Sequence, residues 1–129
     1  MPFVESNGTR LFYRLEGRED RPVLILSHSL GTDMSLWAPQ MPALLDHFRV
    51  LRYDTRGHGA SNVTPGDYSV EQLAHDALGL ADALHIGRFA FCGLSLGGMT
   101  GLWLAAHVPE RLTSLVLANT ARISSKAPV

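Results

Sequence analysis

A single cysteine among 129 residues rules out an internal disulfide framework and any thiolate cluster for a metal. That residue, Cys92, closes the apolar stretch Phe89-Ala90-Phe91-Cys92, where a buried structural thiol is expected. Neither charge is in excess. The formal net charge is −1 with both signs scattered, so no basic stripe is available to neutralise a phosphate backbone, which argues against nucleic acid as a partner. No apolar run approaches the ~20 residues needed to cross a bilayer. The opening Met1-Pro2-Phe3-Val4-Glu5 has neither a basic nor an apolar leader segment, so a cytoplasmic protein with no membrane partner is expected. Repeats, low-complexity tracts and charge runs are also missing, and the one Gly/Pro-rich stretch, Gly57 to Gly66, reads as a loop. What is present, 46% hydrophobic and 18% charged residues, is the composition of one soluble globular domain with one core.

Apolar periodicity divides the chain into alternating elements. Leu11 to Leu15 reads as a half-buried strand. Val23-Leu24-Ile25-Leu26 is a continuous apolar run too short for a helix, which is the pattern of a strand covered on both faces of a parallel sheet. Arg49 to Tyr53, Arg88 to Cys92 and Leu112 to Leu117 read the same way. Between them, Val70, Leu73, Ala74, Ala77, Leu78, Ala81 and Leu84 recur on one face at helical spacing. Ser69 and Gln72 are spaced as a capping box at the start of this helix, and Gly87 suits its end. A second helix is predicted from Leu96 to His107, stopped by Pro109, with Gly97, Gly101 and Ala105 forming a stripe of small residues for close packing. Strands alternating with helices specify an α/β sheet.

The chemistry is carried by Gly93-Leu94-Ser95-Leu96-Gly97. By chance the pattern Gly-x-Ser-x-Gly is expected roughly 0.08 times in such a chain, so its position between a buried strand and a helix is what gives it weight. A serine on so sharp a turn takes a strained backbone conformation, and only small residues two before and two after it avoid collision. Ser95 is thus the candidate nucleophile, and the N–H of Leu96, at the start of the helix, can receive a developing oxyanion. The loop Ser27-His28-Ser29-Leu30-Gly31-Thr32-Asp33 is expected to supply a second donor, the N–H of Leu30. His28 is read as structural, because in this arrangement the base follows the nucleophile in the chain. The loop Asp54-Thr55-Arg56-Gly57-His58-Gly59-Ala60-Ser61 reads as a hydrogen-bonded loop near the site. Arg56 is weighed as structural and, secondarily, as a partner for a substrate carboxylate.

Over nearly the whole chain these segments resemble 3-oxoadipate enol-lactonases, a family of α/β-hydrolases. The matching residues are the His28 to Asp33 loop, Arg49-Val50-Leu51-Arg52-Tyr53-Asp54-Thr55-Arg56-Gly57-His58-Gly59, Phe91-Cys92-Gly93-Leu94-Ser95-Leu96-Gly97-Gly98, and Leu117-Ala118-Asn119-Thr120-Ala121. The elbow and the Arg-Gly-His-Gly loop are shared with many hydrolases, and Ser29 narrows the match. The resemblance implies a truncated α/β-hydrolase fold over residues 1–129, a mostly parallel sheet with flanking helices but without the lid and C-terminal strands. It also implies hydrolysis of a small-molecule lactone or ester, 3-oxoadipate enol-lactone first, with no cofactor and no metal. Other esterase or haloperoxidase-like chemistry is the alternative among enzymes, and a non-catalytic pairing module is the alternative outside them. A dinucleotide site ranks below these, since the first crossover offers only Gly31. After Ser95 the only histidine is His107 and the nearest acid to it is Glu110, a helix away from the elbow, while position 119 is Asn. No complete triad is expected in the isolated chain, and its turnover should be lost. Leu112 to Leu117 should form an apolar edge strand open to self-association.

Overall fold

A computed structural model describes residues 2–120. Met1 and residues 121–129 lie outside it, and with them Ala121, the last residue of the Leu117 to Ala121 match. The chain opens with a hairpin of β1 (Phe3–Ser6) and β2 (Thr9–Glu16), paired antiparallel with Ser6 opposite Thr9. Asn7 and Gly8 form its two-residue turn at φ 51° and 78°. Positive φ at both positions gives the turn whose twist matches that of paired strands. Sequence periodicity places a strand only at Leu11 to Leu15. The structure adds β1 and lengthens β2, because hairpin pairing satisfies backbone groups that local apolar pattern does not reveal.

The remaining strands are β3 (Val23–Ser27), β4 (Arg49–Tyr53), β5 (Phe89–Leu94) and β6 (Leu112–Ala118), in the sheet order β1-β2-β4-β3-β5-β6. From β4 to β6 the neighbours are parallel, whereas β1 and β2 pair antiparallel. Helices α2 (Val70–Ala83) and α3 (Leu96–His107) cover one face of this mostly parallel sheet. A 3₁₀ turn at Met34–Gln40 and the short α1 (Met41–Leu45) lie on the other. In β3, Ile25 packs among the residues of α2 and α3, and Leu24 and Leu26 pack with Met41. Covered on both sides, this strand has no polar face, which is why its sequence is an unbroken apolar run.

β6 departs from that pattern. Gly101 of α3 is packed so close to Leu115 and Leu117 that a Cβ there would stand 2.9 Å and 3.0 Å from their methyl carbons. Val116, pointing the other way, is 58% exposed. Among the described residues β6 is the outer strand of the sheet and is covered on one face only, not on both as its apolar run suggests.

Both ends of α2 are modified relative to expectation. Ser69 Oγ accepts the Gln72 N–H at 3.1 Å, but Gln72 Oε1 is buried without a partner, so one half of the capping box forms. The left-handed residue that ends the helix is His85, at φ 60°, rather than Gly87. Ile86 N–H then closes onto Ala81 C=O at 2.8 Å, and the Ile86 side chain is buried, the geometry of a Schellman ending. This lets the chain turn into β5 two residues sooner, at a cost of about 1 kcal/mol for a left-handed residue other than glycine.

Candidate active site

β5 ends at Leu94 and α3 begins at Leu96, leaving Ser95 alone between them at φ 54°, ψ −108°. A backbone of this kind costs about 1–3 kcal/mol and persists only where neighbours hold it. Three hydrogen bonds do so. Ser95 N–H donates to Ala118 C=O at 2.8 Å, and its own C=O accepts from Met99 N–H at 3.0 Å and from Thr120 Oγ1–H at 3.3 Å. The flanking glycines are required by space. A Cβ on Gly93 would stand 2.2 Å from Gly97 O, and a Cβ on Gly97 would stand 2.1 Å from Ser27 O, both backbone atoms that cannot step aside. Ser95 is the N-terminal cap of α3, yet its side chain makes no capping bond, so its Oγ is not taken up by the helix. Leu96 is the first residue of that helix, where N–H groups have no intrahelical acceptor and the helix dipole is positive.

The loop after β3 is laced to the loop after β4 by backbone N–H groups and imidazoles. His28 is fully buried, and its Nε2 accepts Thr55 N–H at 2.9 Å while its Nδ1–H donates to Ser29 C=O at 2.8 Å. His58 repeats the arrangement from the other loop. Its Nε2 accepts Gly31 N–H at 3.1 Å and its Nδ1–H donates to Arg56 C=O at 3.1 Å. The two rings lie 5.1 Å apart. Asp54 adds one further tie, accepting Met34 N–H at 2.9 Å, and braces its own loop by accepting Ala60 N–H at 2.9 Å. Burial pushes the His28 pKa below its ordinary 6.5, so the imidazole is held neutral. Leu30, whose N–H is the second expected oxyanion donor, carries an exposed side chain at the tip of this loop.

Arg56 has no free donor face for a substrate. Its guanidinium donates to both carboxylate oxygens of Asp76, to Asn7 C=O and to Thr64 Oγ1, and its side chain is 6% exposed. The secondary expectation of a substrate contact is therefore corrected: the guanidinium ties α2 and the β1–β2 turn to the β4 loop. His107 sits at the far end of α3, about 18 Å along a helix of this length from Ser95. It stacks on Trp103 at 4.1 Å, and its Nδ1 hydrogen-bonds the Trp103 carbonyl at 2.9 Å. Among the described residues no histidine hydrogen-bonds the Ser95 hydroxyl, and no group of three His, Cys, Asp or Glu is placed to hold a metal ion. Cys92 is half-buried, and desolvation raises its pKa, which keeps the thiol protonated.

A residue that sequence reasoning missed is Thr120, whose hydroxyl supports the strained Ser95 and whose side chain fills the space beside Gly98. The Asn119-Thr120 pair after the last apolar run was the signal for it. Thr55, which sets the hydrogen bonding of His28 through its N–H, carries no side-chain signal at all.

The sequence profile described as alpha/beta hydrolase fold matches residues 22–129. The chain belongs to this family. Within the α/β hydrolases it is 50% identical over 118 residues to 3-oxoadipate enol-lactonase 2 of Acinetobacter baylyi, an alignment covering 92% of this chain and 44% of that protein. The crystal structure of the enol-lactonase from Burkholderia xenovorans is similar at TM-score 0.91 and 55% identity, covering 93% of this chain and 47% of that one. A hydrolase from Pseudomonas aeruginosa is similar at TM-score 0.91 and 53% identity, covering 96% of this chain and 47% of that one. The chain thus spans a little under half the length of these α/β hydrolases.

Proposed function

We propose that the full-length protein is a serine hydrolase of carboxylic esters or lactones, with 3-oxoadipate enol-lactone as its substrate. The observation that carries the reading is Ser95, held at φ 54° on the β5–α3 turn as the N-terminal cap of α3 with no side-chain bond to that helix. In this reading Ser95 Oγ attacks the lactone carbonyl carbon while its proton passes to a base. The carbonyl electron pair moves onto oxygen, and Leu30 N–H and Leu96 N–H receive that charge. Collapse of the tetrahedral intermediate breaks the ring C–O bond and releases an enolate, leaving an acyl group on Ser95. Water then attacks the acyl carbonyl, returning the Ser95 hydroxyl and freeing the carboxylic acid. The substrate assignment is supported by the names and the 50% and 55% identities of the two enol-lactonases.

An unassisted serine hydroxyl is a poor nucleophile near neutral pH. None of the described histidines is bonded to it, so the test belongs on the full-length protein, offered a panel of lactones and simple esters. Opening of 3-oxoadipate enol-lactone, lost by about 10⁶-fold in Ser95→Ala, is the expected result. Ester cleavage without lactone opening would reject the substrate, and inactivity on the whole panel would reject the hydrolase.

A further inference from the structure

We infer that His28 is a positioning residue that aims the Leu30 N–H of the oxyanion hole by holding the Ser29 carbonyl. The inference rests on the proposed hydrolytic role of Ser95 and Leu30, but its argument is one of peptide geometry.

In a trans peptide the C=O of one residue and the N–H of the next point in opposite directions. The described chain has no cis peptide, so the direction of Leu30 N–H is set by whatever holds Ser29 C=O. Three donors hold it: His28 Nδ1–H at 2.8 Å, Thr32 Oγ1–H at 2.8 Å and Thr32 N–H at 3.3 Å. With the carbonyl turned toward these donors, Leu30 N–H faces the other way. Flipping this peptide would strand all three at once, and the Leu30 carbonyl unit that follows is tied as well, since Gly31 N–H donates to His58 Nε2. Each of the two peptide units flanking Leu30 is therefore held by one histidine.

His28 can donate from Nδ1 in its neutral form only if its proton sits there and Nε2 is an acceptor. Thr55 N–H enforces that tautomer, because a backbone donor can meet only an unprotonated ring nitrogen. Orientation thus passes from the Thr55 amide through the buried ring to the Ser29 carbonyl, and across the peptide bond to Leu30 N–H. The ring is fully buried and both of its nitrogens are engaged, so it positions the donor without touching substrate.

Asn and Gln separate the two ends of the ring. Asn places an amide where Nδ1 stands and can still donate to Ser29 C=O, whereas Gln reaches the Thr55 side and leaves the carbonyl to the two Thr32 donors alone. In the full-length protein His28→Gln is expected to lower kcat for ester or lactone cleavage by about 10²-fold with KM within about two-fold, the signature of a lost oxyanion donor. His28→Asn is expected to recover most of that loss. Crystal structures of the two variants should show the Ser29 carbonyl in place in Asn and rotated in Gln. Equal kcat in the two variants, or an unmoved carbonyl in the Gln variant, would overturn the inference. Should His28→Gln fail to fold, the ring ¹⁵N chemical shifts of the unmodified protein decide: a proton on Nδ1 supports the inference and a proton on Nε2 overturns it. A wild-type protein that cleaves no ester would sink the hydrolase reading instead, while the carbonyl orientation and tautomer would still judge the clamp.

Discussion

The Arg56 guanidinium meets the Asp76 carboxylate with two prongs, Nε to Oδ2 at 2.9 Å and a terminal nitrogen to Oδ1 at 2.8 Å, in a pair whose side chains are 6% and 2% exposed. Asn7 completes it, donating from Nδ2 to the same Asp76 Oδ1 at 2.9 Å and accepting from Arg56 on its carbonyl. Removing one member of a buried pair leaves the other charge stranded. Arg56→Met is expected to destabilise the fold by about 3–5 kcal/mol in urea titration. If Arg56 instead served a substrate carboxylate, the ratio of kcat/KM for acidic against neutral esters would fall in the variant; the expected outcome is an unchanged ratio.

Gly97 has its own test. Because a Cβ there would press on the backbone oxygen of Ser27 at 2.1 Å, β3 and α3 would have to separate. Gly97→Ala is expected to cost about 1–3 kcal/mol, and to slow Ser95 labelling by a phosphonate in the full-length protein well beyond any loss of folded fraction. Thermal denaturation together with the labelling rate checks both.

His28 gives a pH dependence whose sign follows from burial. Desolvation is the largest influence and lowers its pKa; the Ser29 carbonyl raises it, His58 lowers it, and Asp54 and Asp33 raise it. The unfolded chain therefore takes up a proton near pH 6.5 while the folded form does so only at lower pH. The stability contributed by neutral His28 is complete above pH 6.5 and is lost progressively as pH falls through the folded value. Urea denaturation between pH 7.5 and 5, compared with His28→Asn, should show this component of the acid-side slope in the wild type alone.

The β6 edge predicts behaviour of the 1–129 polypeptide produced alone. Among the described residues no strand pairs with the outer edge of β6, which, with Val116 at 58% exposure, forms a template for strand pairing. Concentration-dependent dimers or larger species are expected in sedimentation, and Val116→Lys should shift the distribution toward monomer. A monomer at high concentration in the unmodified polypeptide would remove this prediction.

Sequence alone determined what depends on neighbours a few residues apart. Leu24, Ile25 and Leu26 mark a strand buried on both faces, Val70 to Ala81 mark the inward stripe of α2, and Gly93, Ser95 and Gly97 mark the elbow. The apolar spacing of the strand and helix, and the clash that a Cβ on Gly93 would make with Gly97 four positions on, are local enough for spacing to reveal them, whereas the pressure on Gly97 comes from Ser27 of β3. The Asn7-Gly8 turn is also a local signal, but apolar periodicity alone does not register it, and β1 emerges only with the structure. Tertiary structure decided everything that required a partner from elsewhere. That Arg56 is consumed by Asp76, that His28 receives its tautomer from Thr55, and that Thr120 supports Ser95 all follow from strand order and register. So do the exposure of Val116 and the unreturned bond at Gln72. A hydrogen bond between residues 20 or more positions apart depends on which strands lie side by side, and no local period in the sequence encodes that.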